Sequence, residues 1–124
     1  MKSFSVRSLI TVAVAAATIV VAHAQTLNVN FIGSGRNDNY KIELFEAGAA
    51  YPSRQAYVNV TNQITFSWYN LTTMRYSWGY KAVEYFIRVT NSKGYSYQTH
   101  SFDIIRKNGV AGIKLLWGVD YLGN

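Results

Sequence analysis

The chain is 124 residues long and carries twelve Lys and Arg against six Asp and Glu, a net charge of +6, with one proline and no cysteine. That length fits one domain, and an apolar fraction of 49% belongs to a chain able to bury a core, not to a disordered one. Without cysteine there is no disulfide framework, no thiolate metal site and no thiol nucleophile, so the fold rests on its hydrophobic core alone.

Residues 1–24 read as a secretory signal peptide. Lys2 and Arg7 form a basic n-region, residues 9–22 run apolar and small without a charge, and Ala22-His23-Ala24 has the small-x-small form of a signal-peptidase site. The run is shorter than the ~20 residues of a membrane-spanning helix. Cleavage after Ala24 predicts a mature domain over residues 25–124, with ten cations left against six acids (+4) and His100 as its one histidine. The last apolar stretch, Val110 to Trp117, is interrupted by Lys114 and too short to span a bilayer. The expectation is a secreted, extracellular protein with no membrane span in its mature chain.

The mature chain then alternates with a period of two. Leu27, Val29 and Phe31 are interleaved with Asn28 and Asn30, and Tyr40, Ile42 and Leu44 with Lys41 and Glu43. Val58 and Val60 flank Asn59; Ile64, Phe66 and Trp68 are interleaved with Thr65 and Ser67. Val83, Tyr85, Ile87 and Val89 alternate with Glu84 and Arg88, and Phe102 and Ile104 flank Asp103. This is the pattern of half-buried strands in β-branched and aromatic residues. Turn residues separate them: Gly33-Ser34-Gly35 with Asn37-Asp38-Asn39, Thr61-Asn62 as a tight hairpin, and Asn91-Ser92-Lys93-Gly94. About six or seven short strands predict an all-β, antiparallel sandwich. Its core is expected over residues 27–105. Residues 70–82 read as the longest, least regular connection, and the glycine-punctuated tail 106–124 has no assigned place beyond a possible last strand in Val110–Trp117.

Asn59-Val60-Thr61 and Asn70-Leu71-Thr72 both have the N-x-T form of a glycosylation acceptor, which suits a eukaryotic secretory route. Asn59 falls at an outward strand position, where a glycan is tolerated.

Three segments in order carry a family resemblance. Tyr40-Lys41-Ile42-Glu43-Leu44 resembles a central "v-x-I-x-L" strand, Val60-Thr61-Asn62 with Ile64–Trp68 a "v-x-n-x-g-x-y-x-W" hairpin, and Glu84–Val89 with Ser101–Ile104 a closing "dYyiri…s-x-F-x-I" pair. These resemble the immunoglobulin-like or fibronectin-III-like domain of the fungal Ser/Thr-rich GPI-anchored family, the yeast cell-wall β-1,6-glucan synthesis N-terminal-like domain. The family's opening strand is missing or reduced to Leu27–Phe31, and its Ser/Thr-rich stalk and anchor signal have no counterpart in the sequence. The resemblance implies a stand-alone, unanchored, wall-linked version of that domain, and it carries over no catalytic residues.

Little in the sequence points to catalysis. His100 has Asp103 three positions on, which in a strand puts them on opposite faces, against the single cleft that a triad needs. Glu43, Glu46 and Glu84 are the carboxylates from which a glycosidase pair would come, but Glu43 and Glu84 fall at outward positions suited to a solvated face with Lys41 or Arg88 as cross-strand partners. One histidine and no cysteine offer no metal cluster, and no glycine-rich loop precedes a helix, so neither an enzyme nor a cofactor is expected.

Binding fits better. Arg75-Tyr76-Ser77-Trp78-Gly79-Tyr80-Lys81 puts three aromatic rings and two cations in the irregular connection, where rings either stack on sugars or a partner's side chains, or fold back to cap the sandwich. Tyr57, Tyr69, Tyr95 and Tyr97 are placed to extend such a surface. The charge is spread without a basic run, so nucleic acid is not an expected partner. The sequence therefore predicts a secreted, non-enzymatic sandwich associated with the cell wall or extracellular matrix, its partner a polysaccharide or wall protein. The alternative is a secreted interaction module that binds a partner protein through a sheet edge or the aromatic segment 75–81.

Overall fold

The computed structural model describes residues 24–76, 80–105 and 109–117. Nine strands follow one another with no helix among the described residues: β1 (Ala24–Ile32), β2 (Asp38–Glu46), β3 (Arg54–Val60), β4 (Gln63–Thr72), β5 (Met74–Tyr76), β6 (Tyr80–Ala82), β7 (Tyr85–Asn91), β8 (Ser96–Gln98) and β9 (Val110–Leu116). One sheet has the order β3-β2-β7-β8 with every neighbour antiparallel. The second has the order β4-β1-β9, in which β4 is antiparallel and β9 parallel to β1. β5 and β6 form a separate hairpin.

The alternation predicts which residues face inward. Leu27, Val29 and Phe31 of β1, Tyr40, Ile42 and Leu44 of β2, Tyr85, Ile87 and Val89 of β7, and Ala111 and Leu115 of β9 meet in one buried cluster between the sheets. Each large side chain so buried contributes about 1.5–3 kcal/mol. The chain is an all-β sandwich of immunoglobulin or fibronectin-III type: β3-β2-β7-β8 repeats the C′-C-F-G order of that fold and β4-β1 its E-B pair. The edge beside β1, where strand A would run, is held by β9. The one parallel pair is a departure from the antiparallel expectation, and it puts part of the tail in the core.

Two connections differ from the sequence reading. Thr61-Asn62 is not a hairpin. β3 pairs with β2 in one sheet and β4 with β1 in the other, so the two residues turn the chain through a corner. A two-residue link is compatible with either geometry, and β4 finds its ladder along β1. The β1–β2 connection changes sheet beside it, and the two crossings are joined by Gly33 N to Asn62 O (2.7 Å) and Gly35 N to Thr61 O (3.0 Å). A Cβ at position 33 would lie 3.1 Å from the Thr61 carbonyl oxygen, so this approach requires glycine. Residues 70–82 are also more regular than expected: β4 continues to Thr72 and β5–β6 follows as a hairpin. Asn91–Gly94, by contrast, is the turn of a true hairpin, with Gly94 at φ 88°.

Two buried tyrosines make opposite predictions. Tyr85, at the start of β7, donates its hydroxyl to the Thr72 carbonyl (2.8 Å), in the manner of the tyrosine corner of immunoglobulin folds, with β5–β6 inserted between the two partners. Burial, and then the nearby Glu46 charge, raise the Tyr85 pKa above its ordinary value. A folded-state pKa above the unfolded one means stability that is intact below pH ~10 and lost as pH climbs through the folded value. Tyr85→Phe is expected to cost about 1–2 kcal/mol at neutral pH by orphaning the carbonyl, and to remove this share of the alkaline loss. Tyr40 is equally buried, but its hydroxyl has no partner in the protein. Tyr40→Phe is therefore expected to be neutral or stabilising by up to about 1 kcal/mol. Urea denaturation of both variants at pH 7 and pH 10 measures the two signs.

Candidate functional site

The five residues of the aromatic segment lie on or beside the β5–β6 hairpin. Its ladder sets Arg75 opposite Lys81 and Tyr76 opposite Tyr80, so the two cations share one face. Like charges directly opposed repel, and Glu46 at the end of β2 offsets this by binding Arg75 Nη2 at 2.5 Å. Arg75, Lys81, Glu46, Ala47 and Glu84 line one cleft of about 630 Å³ at this end of the sandwich. Trp78 and the side chains of Tyr76 and Tyr80 lie outside the described residues. What the structure adds is a salt-bridged cationic face where the sequence suggested only an irregular loop.

The acids differ from their expected settings. Glu84 precedes β7 and is not in a strand. Glu43 has the predicted partners, with Arg88 Nε at 3.2 Å and Lys41 Nζ at 3.9 Å, yet it is 4% exposed instead of solvated. It sits mid-sheet between β3 and β7, and the Arg88 guanidinium lies 4.7 Å over the Phe45 ring, which stacks on Phe86. The stems of the cations and the rings shield the carboxylate from water. His100 and Asp103 also depart from the reading. Residues 99–105 form no strand, only a bridge between Phe102 and Tyr85, so the argument from opposite faces fails. Both residues line one cleft of about 290 Å³ with Leu27, Phe102 and Ile104.

The outer face of the β4-β1-β9 sheet holds a shallow trough of about 540 Å³. Its lining is polar and uncharged: Asn28 and Asn30 from β1, Thr65 and Ser67 from β4, and Gly112 from β9. Register brings these together, with Asn28 between Ser67 and Gly112, and Asn30 beside Thr65. Ser67 Oγ donates to Asn28 Oδ1 (2.6 Å), which fixes that amide. Asn30 Oδ1 is buried and has no partner in the protein. Tyr69, 63% exposed, stands at one end. Gly112 is mid-strand, where glycine weakens a sheet. A Cβ there would meet only the Asn28 carbonyl oxygen, at 4.0 Å, and its φ is not positive, so neither packing nor backbone demands glycine. Its absent side chain leaves the trough open.

The sequence reading passed over these five residues. Their signal is an outward set of Asn, Ser and Thr in 28–30 and 65–67, where the outward set of the other sheet is Lys41, Glu43 and Arg88. Of the tyrosines, Tyr57 and Tyr95 are exposed as expected, whereas Tyr97 is half-buried against Trp117, with ring centres 5.6 Å apart.

Both sequon asparagines are exposed. The Asn59 amide donates to Asn37 Oδ1 (3.1 Å) and Asn39 Oδ1 (3.0 Å), inside a cluster that also includes Thr61. Beside it the Asp38 carboxyl is held below its ordinary pKa, first by the Ser92 hydroxyl and then by the Asn39 N–H. Asn70 has φ 57° at a bulge, where β4 takes three steps (Leu71 to Trp68) against two on β1. Few side chains tolerate that conformation and asparagine is one of them. Asn70→Gly is expected to keep or slightly raise the unmodified protein's stability, while Asn70→Ala costs about 1 kcal/mol; thermal melts of the two distinguish a backbone requirement from none.

No family model, curated protein or solved structure matches this chain.

Proposed function

We propose that the protein is a secreted, non-enzymatic wall- or matrix-associated module that binds polysaccharide in the trough of the β4-β1-β9 sheet. The observation that carries the reading is Gly112, a glycine in a strand interior whose vacancy opens directly over Asn28. Asn and Thr or Ser side chains in fixed ladder positions match the donor and acceptor spacing of sugar hydroxyls. The exposed Tyr69 ring offers an apolar face to the C–H side of a pyranose. The lining has no carboxylate and the named groups are neutral, which favours an uncharged glycan. The signal-like segment 1–24, the sequons and the resemblance to the cell-wall domain all support the same setting.

A second reading, a protein partner added at a sheet edge, draws on β4. This ten-residue strand is an edge of its sheet, so one side of its backbone has no neighbouring strand.

The test is retention of residues 25–124 on insoluble β-glucan, chitin and cellulose in high salt, comparing wild type with Gly112→Val. Valine raises strand propensity and fills the trough, so melting temperature is expected to hold or rise while retention falls by roughly tenfold or more, a loss of at least ~1.4 kcal/mol. Equal retention of Gly112→Val removes the trough as the site. Absence of retention on all three supports shifts the reading to the protein partner.

A further inference from the structure

The last strand completes the fold around the first. β9 pairs with β1 from Thr26–Val110 to Ile32–Leu116, and the ladder is closed by Thr26 N to Gly109 O (2.8 Å) and Trp117 N to Ile32 O (2.9 Å). Ala111 and Leu115 are buried against the row Leu27, Val29 and Phe31, with Ile113 packed beside them. Trp117 then reaches the other sheet, with its ring 5.2 Å from Tyr40 and 5.6 Å from Tyr97. Until β9 arrives, β1 presents an open edge over an apolar row, the arrangement that recruits strands from other chains.

We infer that this seat beside β1 accepts β9 from a second copy of the chain, so that two copies assemble by trading their last strands. Three observations point to this occupant. The seat is fitted to the β9 sequence, since Ala111 and Gly112 stand opposite Leu27 and Asn28, and bulkier residues at 111 would not clear the core. The tether is short. Ile104 is buried and the next fixed point, Gly109, is five residues on, a reach of at most ~17 Å. Short hinges favour exchange over return. In addition, the traded strand makes the same ladder and the same core contacts as its own would, so a closed two-fold dimer loses nothing in the seat and differs only at the hinge. Each trough in the dimer would combine Asn28 and Asn30 of one copy with Gly112 of the other, giving two linked sites, but the exchange does not depend on what the trough binds.

A chain without cysteine makes the test direct. Asn30 lies beside Lys114 in the β1–β9 register, and neighbouring strands lie about 4.8 Å apart, within disulfide reach. Asn30→Cys and Lys114→Cys are made as separate full-length single variants, each checked for wild-type melting. They are mixed at high concentration, relaxed in mild urea, returned to buffer and oxidised. A covalent heterodimer forming several-fold above the mixture of Asn30→Cys with Ser96→Cys, on the other sheet, is the expected result. A chain carrying both cysteines, oxidised as a monomer beforehand, is expected to stop exchanging with tagged wild type. Heterodimer no higher than the control, together with a monomeric elution volume at high concentration, overturns the inference. If Asn30→Cys does not fold, the Asn28→Cys and Gly112→Cys pair gives the same readout one step along the register.

Discussion

Leu115→Ala is expected to lower the unfolding free energy by about 3–4 kcal/mol, as large as any single truncation in this core. Leu115 is fully buried, pairs with Phe31 across the parallel ladder and belongs to the last strand to be made. The residues it joins are more than eighty positions apart in sequence, so its contacts are rewarded only after the rest of the sandwich is in place. Cavity formation beside Phe31 adds to the lost transfer energy because a sheet edge pinned at both ends cannot collapse into the gap. The neighbouring Lys114→Ala, on the exposed side, is expected to stay within ~1 kcal/mol. Urea denaturation followed by tryptophan fluorescence compares the two. A Leu115→Ala loss below ~1 kcal/mol would show that β9 is not part of the cooperative unit.

The ion cluster on the other sheet gives the second large effect, with an asymmetry that ranks its members. Arg88→Met is expected to cost about 2–3 kcal/mol, because it leaves Glu43 nearly inaccessible with only Lys41 at 3.9 Å to balance it. The loss is held below the full cost of breaking a buried pair by the 38% exposure of the Arg88 side chain, and includes the cation–π contact with Phe45. Glu43→Gln removes the buried charge, keeps the shape and leaves the two cations access to water, so it is expected to cost about 1 kcal/mol or less. Thermal unfolding of the two single variants and the double variant measures the coupling. Equal costs for the singles would mean that Glu43 is better hydrated than its burial implies.

Much of the candidate trough was present in the sequence but could not be assembled there. Asn28, Asn30, Thr65 and Ser67 stood at outward positions, yet the link Thr61-Asn62 suggested that 64–68 pairs with 58–60, which would have put Thr65 and Ser67 beside the wrong strand. Gly112 lay in a segment with no assigned partner. The aromatic segment drew attention because its rings are adjacent in sequence. The trough did not, because its five residues come from three strands.

The sequence by itself determined what the local chain could express. Alternation at Tyr40–Leu44, Ile64–Trp68 and Tyr85–Val89 fixed both the strand type and the buried side, since each follows from the two-residue pleat and the need to remove apolar groups from water. Sheet membership was decided only by the tertiary structure. A two-residue link serves a hairpin or a corner equally, and only the competition of β1 and β3 for β4 selects between them. The parallel seat of β9 likewise depends on an edge created by distant residues, which no local window contains. Glu43 shows the same limit for a single side chain. Its outward position was legible, but its burial came from Arg88, Lys41 and Phe45 closing over it once β2 and β7 were side by side.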